Sequence, residues 1–141
     1  MATLAIGMCL PAIIDIIRGD DDWKAFAASA AGTFFIGISL ILTCRGEDMR
    51  LTIRQAFLLT SLSWVVLTTF AALPFTFSKL ELSYTDSFFE AMSGITTTGA
   101  TVITGLDFAP PGILLWRAVL QWLGGIGIIV MAIAVLPMLR V

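Results

Sequence analysis

Three long stretches without any ionisable residue constrain this chain more than any other feature of its sequence. They cover residues 25–43, 55–78 and 118–139, and apolar side chains dominate each of them. A helix that crosses the roughly 30 Å hydrocarbon core of a bilayer needs about 20 such residues. The chain is 58% hydrophobic and 13% charged, whereas soluble domains average about 25% charged residues. The sequence therefore predicts an all-α integral membrane protein.

A fourth apolar segment, residues 1–17, is a weaker candidate span because it contains Pro11 and Asp15. A signal peptide is the alternative, but the segment lacks a basic leader and a small-residue cleavage site. We interpret it as a first membrane helix, which gives four transmembrane helices in all. The first two helices occupy residues 1–44, and a polar link of residues 45–54 leads to the third.

The polar link, residues 45–54, indicates how the chain is oriented. It is the densest basic loop, although the basic residues of the chain divide equally between the two sides. Short basic loops favour the cytoplasm, so we expect the link and both termini there. The acidic run Asp20-Asp21-Asp22 falls on the opposite side, where a solvated loop is the simplest interpretation.

The segment between the third and fourth spans is neither a plain loop nor a full span. Ser83 is a candidate helix cap with Asp86 in a capping-box position, and apolar residues recur at helical spacing over residues 84–95. Such a helix is about 18 Å long, which is half a bilayer. Residues 96–101, TTTGAT, form helix poorly. The pattern predicts a re-entrant pore helix with an extended filter loop; the alternative is a surface helix in an extramembrane loop.

Residues 96–101 have the chemistry of a selectivity filter. Non-helical backbone at membrane depth is tolerated only where protein buries it or where it lines a watery cavity. A ring of backbone carbonyls can dehydrate a monovalent cation without a net charge that would trap it, and glycine turns a carbonyl inward without steric cost. Thr96 and Thr101 are candidates for filter support. The candidate ion-binding residues are Thr97, Thr98, Gly99 and Ala100.

Two blocks of sequence carry a family resemblance: residues 85–101, TDSFFEAMSGITTTGAT, and Arg117 with residues 121–127, QWLGGIG. Leu73-Pro74-Phe75 and Leu136-Pro137 fit the same pattern. Together they resemble the first pore loop and following helix of the Trk/Ktr/HKT superfamily of potassium transporters. Within it, the chain is most similar to the bacterial TrkH/TrkG type, which has two extra helices ahead of its first repeat.

The resemblance implies the pore-forming subunit of a Trk-type potassium uptake system in the bacterial inner membrane. Such proteins join four helix–pore loop–helix repeats in one chain, so residues 55–141 correspond to the first repeat of a longer protein. Gly99 takes the place of the filter glycine, which points to potassium bound through Thr97, Thr98 and Gly99. The implied partners are a cytoplasmic nucleotide-binding regulatory subunit and a second full-length copy in a homodimer.

Several residues of the last helix have a functional and a plainer interpretation. Arg117 is a filter support or a snorkelling residue, and Gln121 supports the filter or pairs with a neighbouring helix. Trp116 is expected at the membrane interface. Glu90, on the predicted pore helix, either attracts cations or pairs with Arg117. Close helix packing is assigned to Gly124, Gly125 and Gly127.

Other kinds of chemistry find little support in the sequence. The chain has no histidine, and Cys9 and Cys44 lack metal-ligand spacing. We therefore expect no transition-metal site, no cofactor bound by this chain and no enzymatic activity. The net charge of −2 indicates no nucleic-acid partner. A non-conducting accessory membrane subunit is the alternative function, and channel-like and ion-coupled transport both stay open.

Overall fold

The computed structural model describes residues 1–43 and 52–135, and this part of the chain is helical, with no strand. Most of the predicted cytoplasmic link, Leu136-Pro137 and the end of the last predicted helix lie outside it. A short 3-10 helix, Leu106–Phe108, precedes the final helix. The α-helices are α1 (Ala2–Arg18), α2 (Trp23–Thr43), α3 (Ile53–Ala71), α4 (Leu73–Phe77), α5 (Tyr84–Ile95) and α6 (Pro111–Val135).

Three helical segments are long and apolar enough to cross a membrane, namely Trp23–Thr43, Arg54–Phe77 and Pro111–Ile133. They follow the stretches without ionisable residues, so the prediction of an all-helical, multi-pass membrane protein is confirmed. The 17 residues of α1 include Pro11 and a buried Asp15, and α1 is not among the three. Its role as a fourth span stays a prediction.

All six α-helices contribute residues to the buried core. Phe26 of α2 and Trp116 of α6 are fully buried there, with ring centroids 6.2 Å apart and ring planes at 77°. The indole N–H of Trp116 donates to the Ala71 carbonyl at the end of α3 over 3.0 Å. The prediction of Trp116 at the membrane interface is wrong, because this bond and the surrounding apolar side chains hold the ring inside the protein.

A break at Ala72 divides the third predicted span into α3 and α4. Pro74 lies at the start of α4. It has no amide hydrogen and its ring crowds the preceding turn, so it interrupts the helical hydrogen bonds. At its other end, α3 begins with a capping box in which Thr52 and Gln55 exchange side-chain and backbone hydrogen bonds. The two helices together still have the length of one membrane span.

The acidic turn between α1 and α2 is docked on the protein, which corrects the prediction of a solvated loop. Asp22 is 3% exposed, and its Oδ1 accepts a hydrogen bond from the Lys79 backbone N–H at 3.3 Å. The Lys79 ammonium lies 3.1 Å from the Asp20 carboxylate. Burial raises the pKa of the Asp22 carboxyl, and the hydrogen bond to Asp20 raises the pKa of Lys79. Asp21, paired with Lys24, is the solvated member of the run.

Candidate functional site

Helix α5 carries the predicted filter at its C-terminal end. The helix is capped by Ser83, whose hydroxyl accepts a hydrogen bond from the Asp86 N–H at 3.1 Å. The Asp86 carboxylate accepts from the Ser83 hydroxyl at 2.7 Å. The Glu or Gln of a full capping box is one methylene longer and reaches the backbone N–H of the cap instead. This partial capping box starts a helix of 12 residues that ends at Ile95.

The backbone after α5 folds back onto the end of that helix. The Thr97 N–H donates to the Gly94 carbonyl at 3.0 Å, and the N–H groups of Thr98 and Gly99 donate to the Ser93 carbonyl at 2.9 and 3.2 Å. Thr97 and Gly99 have left-handed backbone angles, with φ of 60° and 78°. Glycine adopts such angles freely, but for a β-branched residue they cost about 1–3 kcal/mol. The sequence pattern predicted the unusual backbone at Gly99 and missed it at Thr97.

These hydrogen bonds determine where the carbonyl groups of the turn point. In a trans peptide, the C=O of one residue is directed opposite to the N–H of the next. The N–H groups of residues 97–99 point to α5, so the carbonyl oxygens of Thr96, Thr97 and Thr98 point away from it. None of the three accepts a hydrogen bond within residues 52–135, and residues 96–102 are exposed. We call these three oxygens the carbonyl row.

Ala100 is oriented the other way. Its carbonyl oxygen accepts a hydrogen bond from the Ser93 hydroxyl at 2.6 Å, so it is directed toward α5 and away from the carbonyl row. The Thr96 hydroxyl donates to the Met92 carbonyl at 2.7 Å and lies 2.9 Å from the Thr98 hydroxyl. Ser93 was not among the predicted site residues. A hydroxyl in the last turn of a helix that leads into a filter is the signal that points to it.

Glu90 joins α5 to residues 101–103, a non-helical segment without β-sheet pairing that we call the strand after the filter. Glu90 is 1% exposed. Its Oε1 accepts hydrogen bonds from the Thr101 hydroxyl at 2.5 Å, the Val102 N–H at 2.6 Å and the Ile103 N–H at 3.3 Å. Its Oε2 accepts from the Arg117 Nε–H at 2.9 Å. One carboxylate therefore holds both the strand after the filter and the helix behind it.

The Glu90–Arg117 ion pair decides between the two interpretations of each residue. Glu90 is directed to Arg117 and the strand, and not to the open face. The Arg117 side chain is 13% exposed, so it is an interior partner and not a snorkelling residue. Both interpretations of Glu90 were given from the sequence, but it was not included among the predicted site residues. The signal for this pair was an acid in the second half of the pore helix, Glu90, and a single base near the start of the next helix.

The glycines of α6 differ in how closely they are packed. A Cβ on Gly124 would overlap the carbonyl group of Ile95, so only glycine fits where α6 crosses the end of α5. At Gly125 and Gly127, a Cβ would have its nearest neighbours at 4.0 and 3.7 Å, which are ordinary contact distances. Close packing was predicted for all three, and the geometry requires it at Gly124.

Gln121 lies beside Gly99. Its amide nitrogen is 3.7 Å from the position that a Cβ on Gly99 would take. The structure thus brings Gln121 and Gly125 of α6 beside Gly99 and Thr97 of the filter turn. Gly124 meets the end of α5 at Ile95, Arg117 binds Glu90 of α5, and Gly127 faces Trp64 of α3. Over residues 1–43 and 52–135, no group of three or more His, Cys, Asp or Glu side chains is placed to hold a metal ion. A cation at this turn would be held by carbonyl and hydroxyl oxygens.

Comparisons with known proteins give one consistent answer. The sequence model of the TrkH family, described as a cation transport protein, matches residues 23–140. The chain is 46% identical over 135 residues to the Trk system potassium uptake protein TrkH of Salmonella typhimurium, and 44% identical over 139 residues to TrkI of Halomonas elongata. These matches cover 95% and 98% of this chain.

A solved structure has the same fold. The crystal structure of the potassium transporter TrkH from Vibrio parahaemolyticus superposes with a TM-score of 0.90 at 40% sequence identity, covering 99% of this chain and 30% of that one. The chain spans about 28% of the length of the curated relatives that it matches.

Proposed function

The chain belongs to the TrkH family of cation transport proteins, and from this premise we propose that it is the N-terminal part of a bacterial inner-membrane potassium uptake protein. Residues 1–44 form the two leading helices, and residues 55–141 form the first pore repeat. In this arrangement α1 is a fourth span, α5 is a re-entrant pore helix, and residues 96–101 are one quarter of the filter. Residues 45–54 and both termini lie in the cytoplasm.

The observation that carries the proposal is the carbonyl row. Three consecutive oxygens, of Thr96, Thr97 and Thr98, lie on an exposed face because the neighbouring N–H groups are bound to the end of α5. The row includes a strained residue, Thr97, and strain of this kind is typical of functional sites. Backbone carbonyls replace the water shell of potassium in selectivity filters. Three further strands around the same axis complete the ring.

The residues of the turn divide between ion binding and support. We assign the ion-facing oxygens to Thr96, Thr97 and Thr98, which moves Thr96 from the predicted supporting set to the ion-binding set. Gly99, predicted to bind the ion, stays in the turn beside them. Ala100 was predicted in the ion-binding set, but its bond to Ser93 favours a positioning role. Thr101, Arg117 and Gln121 keep the supporting role predicted for them, and Glu90 and Ser93 join them. The C-terminal end of α5 directs its partial negative charge toward the turn.

The proposed partners follow from the family resemblance. They are a cytoplasmic nucleotide-binding regulatory subunit and a second copy of the full-length protein. Co-purification of the full-length protein with that subunit, and its mass in detergent, test the two partners separately from transport.

The test of the function uses the full-length parent protein in a bacterium that cannot grow at low external potassium. The wild type should restore growth and accumulate potassium in preference to sodium. Gly99→Ser should lower this preference, because a side chain at a left-handed residue displaces the filter strand. Gly105→Ser is the matched control: Gly105 also has a positive φ, of 71°, but lies in an open turn, where the nearest atom is 4.0 Å from the position that a Cβ would take.

The outcomes separate the two candidate functions. Loss of ion preference in the Gly99 variant alone supports the filter. Unchanged flux and unchanged preference in that variant would show that the turn is not part of a filter. Failure of the wild type to move potassium would favour the accessory-subunit alternative.

A further inference from the structure

We propose that Asp15 of α1 is a positioning residue of the filter, acting through the N-terminus of α6; the inference rests on the function proposed above. Asp15 is fully buried, and its Oδ1 accepts a hydrogen bond from the Gly112 N–H at 2.9 Å. Gly112 is the second residue of α6, where amide groups have no partner within the helix. A leading helix therefore caps a pore-repeat helix that starts almost a hundred residues later.

The fit between the two residues is specific. A Cβ on residue 112 would overlap the Asp15 carboxylate, so the bond requires glycine at this position. Oδ2 of Asp15 is buried and has no hydrogen-bond partner within residues 1–43 and 52–135. A buried, unpaired polar oxygen is unfavourable, and an apolar side chain would avoid it. If Asp15 served only to fill space between the helices, the carboxylate would be a poor choice.

The cap is linked to the carbonyl row through hydrogen-bonded side chains. Arg117 lies five residues after Gly112, about 7.5 Å further along α6. It binds Glu90, and Glu90 in turn binds Thr101 and the backbone that follows it. A shift of α6 along its axis therefore displaces the strand that leaves the filter. Asp15 fixes α6 against such a shift from outside the pore repeat.

The turn between α1 and α2 also holds the segment that enters the pore loop. Asp22 accepts a hydrogen bond from the Lys79 N–H, and Asp20 pairs with the Lys79 ammonium. Lys79 lies just ahead of α5, whereas Gly112 opens the helix after the loop. The leading helices thus hold the pore loop at both of its ends. None of these acids contacts the carbonyl row in the structure, so their role is positioning and not ion binding.

The test compares full-length variants reconstituted in liposomes, with transport normalised to the amount of monodisperse protein. Asp15→Ala removes the cap, and Gly112→Ala disturbs it from the other helix. Asp15→Asn keeps an acceptor of the same shape and should rescue most of the function. We expect both disruptive variants to lower the potassium-to-sodium preference by about threefold or more, a range typical of couplings through packed networks. Asp21→Ala is the matched control, because its exposed carboxylate pairs with Lys24 alone among the residues that the structure describes.

Each outcome decides the matter. If the disruptive variants yield less folded protein but keep the wild-type preference and half-saturation for potassium, Asp15 is a stability residue and the inference is overturned. The same holds if neither variant yields folded protein. If the wild type shows no potassium uptake, the proposed function fails first and the inference fails with it. A preference lowered in both disruptive variants, and kept in Asp15→Asn and Asp21→Ala, supports the positioning role.

Discussion

Replacing Glu90 by Gln should loosen the strand after the filter while leaving α5 in place. The substitution keeps the shape of the side chain and one oxygen that can accept from Thr101 and Val102. It removes the anion that faces Arg117 and sets an amide N–H₂ against the Arg117 Nε–H, donor against donor. Arg117 is then left in the interior with no opposite charge.

The size of the effect follows from the burial of the pair. Removing one partner of a buried ion pair costs about 3–5 kcal/mol. The Arg117 side chain is 13% exposed and can recover some hydration, so we expect a cost at the lower end of this energy range. A loss of about 3 kcal/mol corresponds to a roughly 150-fold larger population of the locally open state.

Hydrogen exchange of the full-length protein in detergent measures this population directly. The Val102 and Ile103 amides are bound to the Glu90 carboxylate, so their exchange reports the opening of the strand. We expect them to exchange about 150-fold faster in Glu90→Gln. Peptides from the middle of α5 should change little.

Two further variants make the result decisive. Asp86→Asn is the same chemical change on the same helix. Within residues 1–43 and 52–135 the Asp86 carboxylate accepts only from Ser83, at the first turn, so exchange after the filter should not change. Adding Arg117→Gln to Glu90→Gln removes the uncompensated charge and should recover part of the protection. If the Val102 amide of Glu90→Gln exchanges at the wild-type rate, the reasoning is refuted, because the strand after the filter then does not depend on the Glu90–Arg117 ion pair.

Two other predictions concern the contacts of α5 with α6 and with the filter. Gly124→Ala should lower the free energy of unfolding of the full-length protein by about 1–3 kcal/mol, because the new Cβ overlaps backbone that cannot move freely. Gly125→Ala, the control, should change it by less than about 0.5 kcal/mol. Equal effects of the two variants would argue against the close crossing of α6 and α5 at Gly124. Ser93→Ala removes the donor to the Ala100 carbonyl and should cost about 1 kcal/mol, read as faster exchange of the filter turn. Ser87→Ala is its control, because the Ser87 hydroxyl is buried without a partner in the described part of the chain, and a larger effect there would contradict the assignment.

Features that depend on near neighbours along the chain were predictable from the amino-acid sequence. Long apolar stretches specify membrane helices because backbone groups in lipid must be satisfied within the segment. The start of α5 was predictable because Ser83 and Asp86, three residues apart, form its cap. Gly99 was identifiable because its backbone angles favour glycine whatever surrounds it. The family, too, was evident from contiguous blocks of residues.

Contacts between groups that are distant along the chain depend on how the helices pack, and the sequence did not predict them. Glu90 finds Arg117 27 positions away, Asp22 finds Lys79 57 away, and Asp15 finds Gly112 97 away. From the sequence, Glu90 was also suited to an ion path and Asp22 to a solvated turn, and Asp15 had no assigned partner. In each case the choice depends on how the helices pack, because a buried charge is stable only where a particular partner is brought to it.

The direction of the filter carbonyls also depends on tertiary contacts. Sequence placed Ala100 with the ion-binding residues because it adjoins Gly99. In the folded chain, the end of α5 binds the N–H groups of residues 97–99 and the Ser93 hydroxyl binds the Ala100 carbonyl. Composition selects residues that permit a filter, but the orientation of each peptide plane depends on the partner that the fold sets beside it.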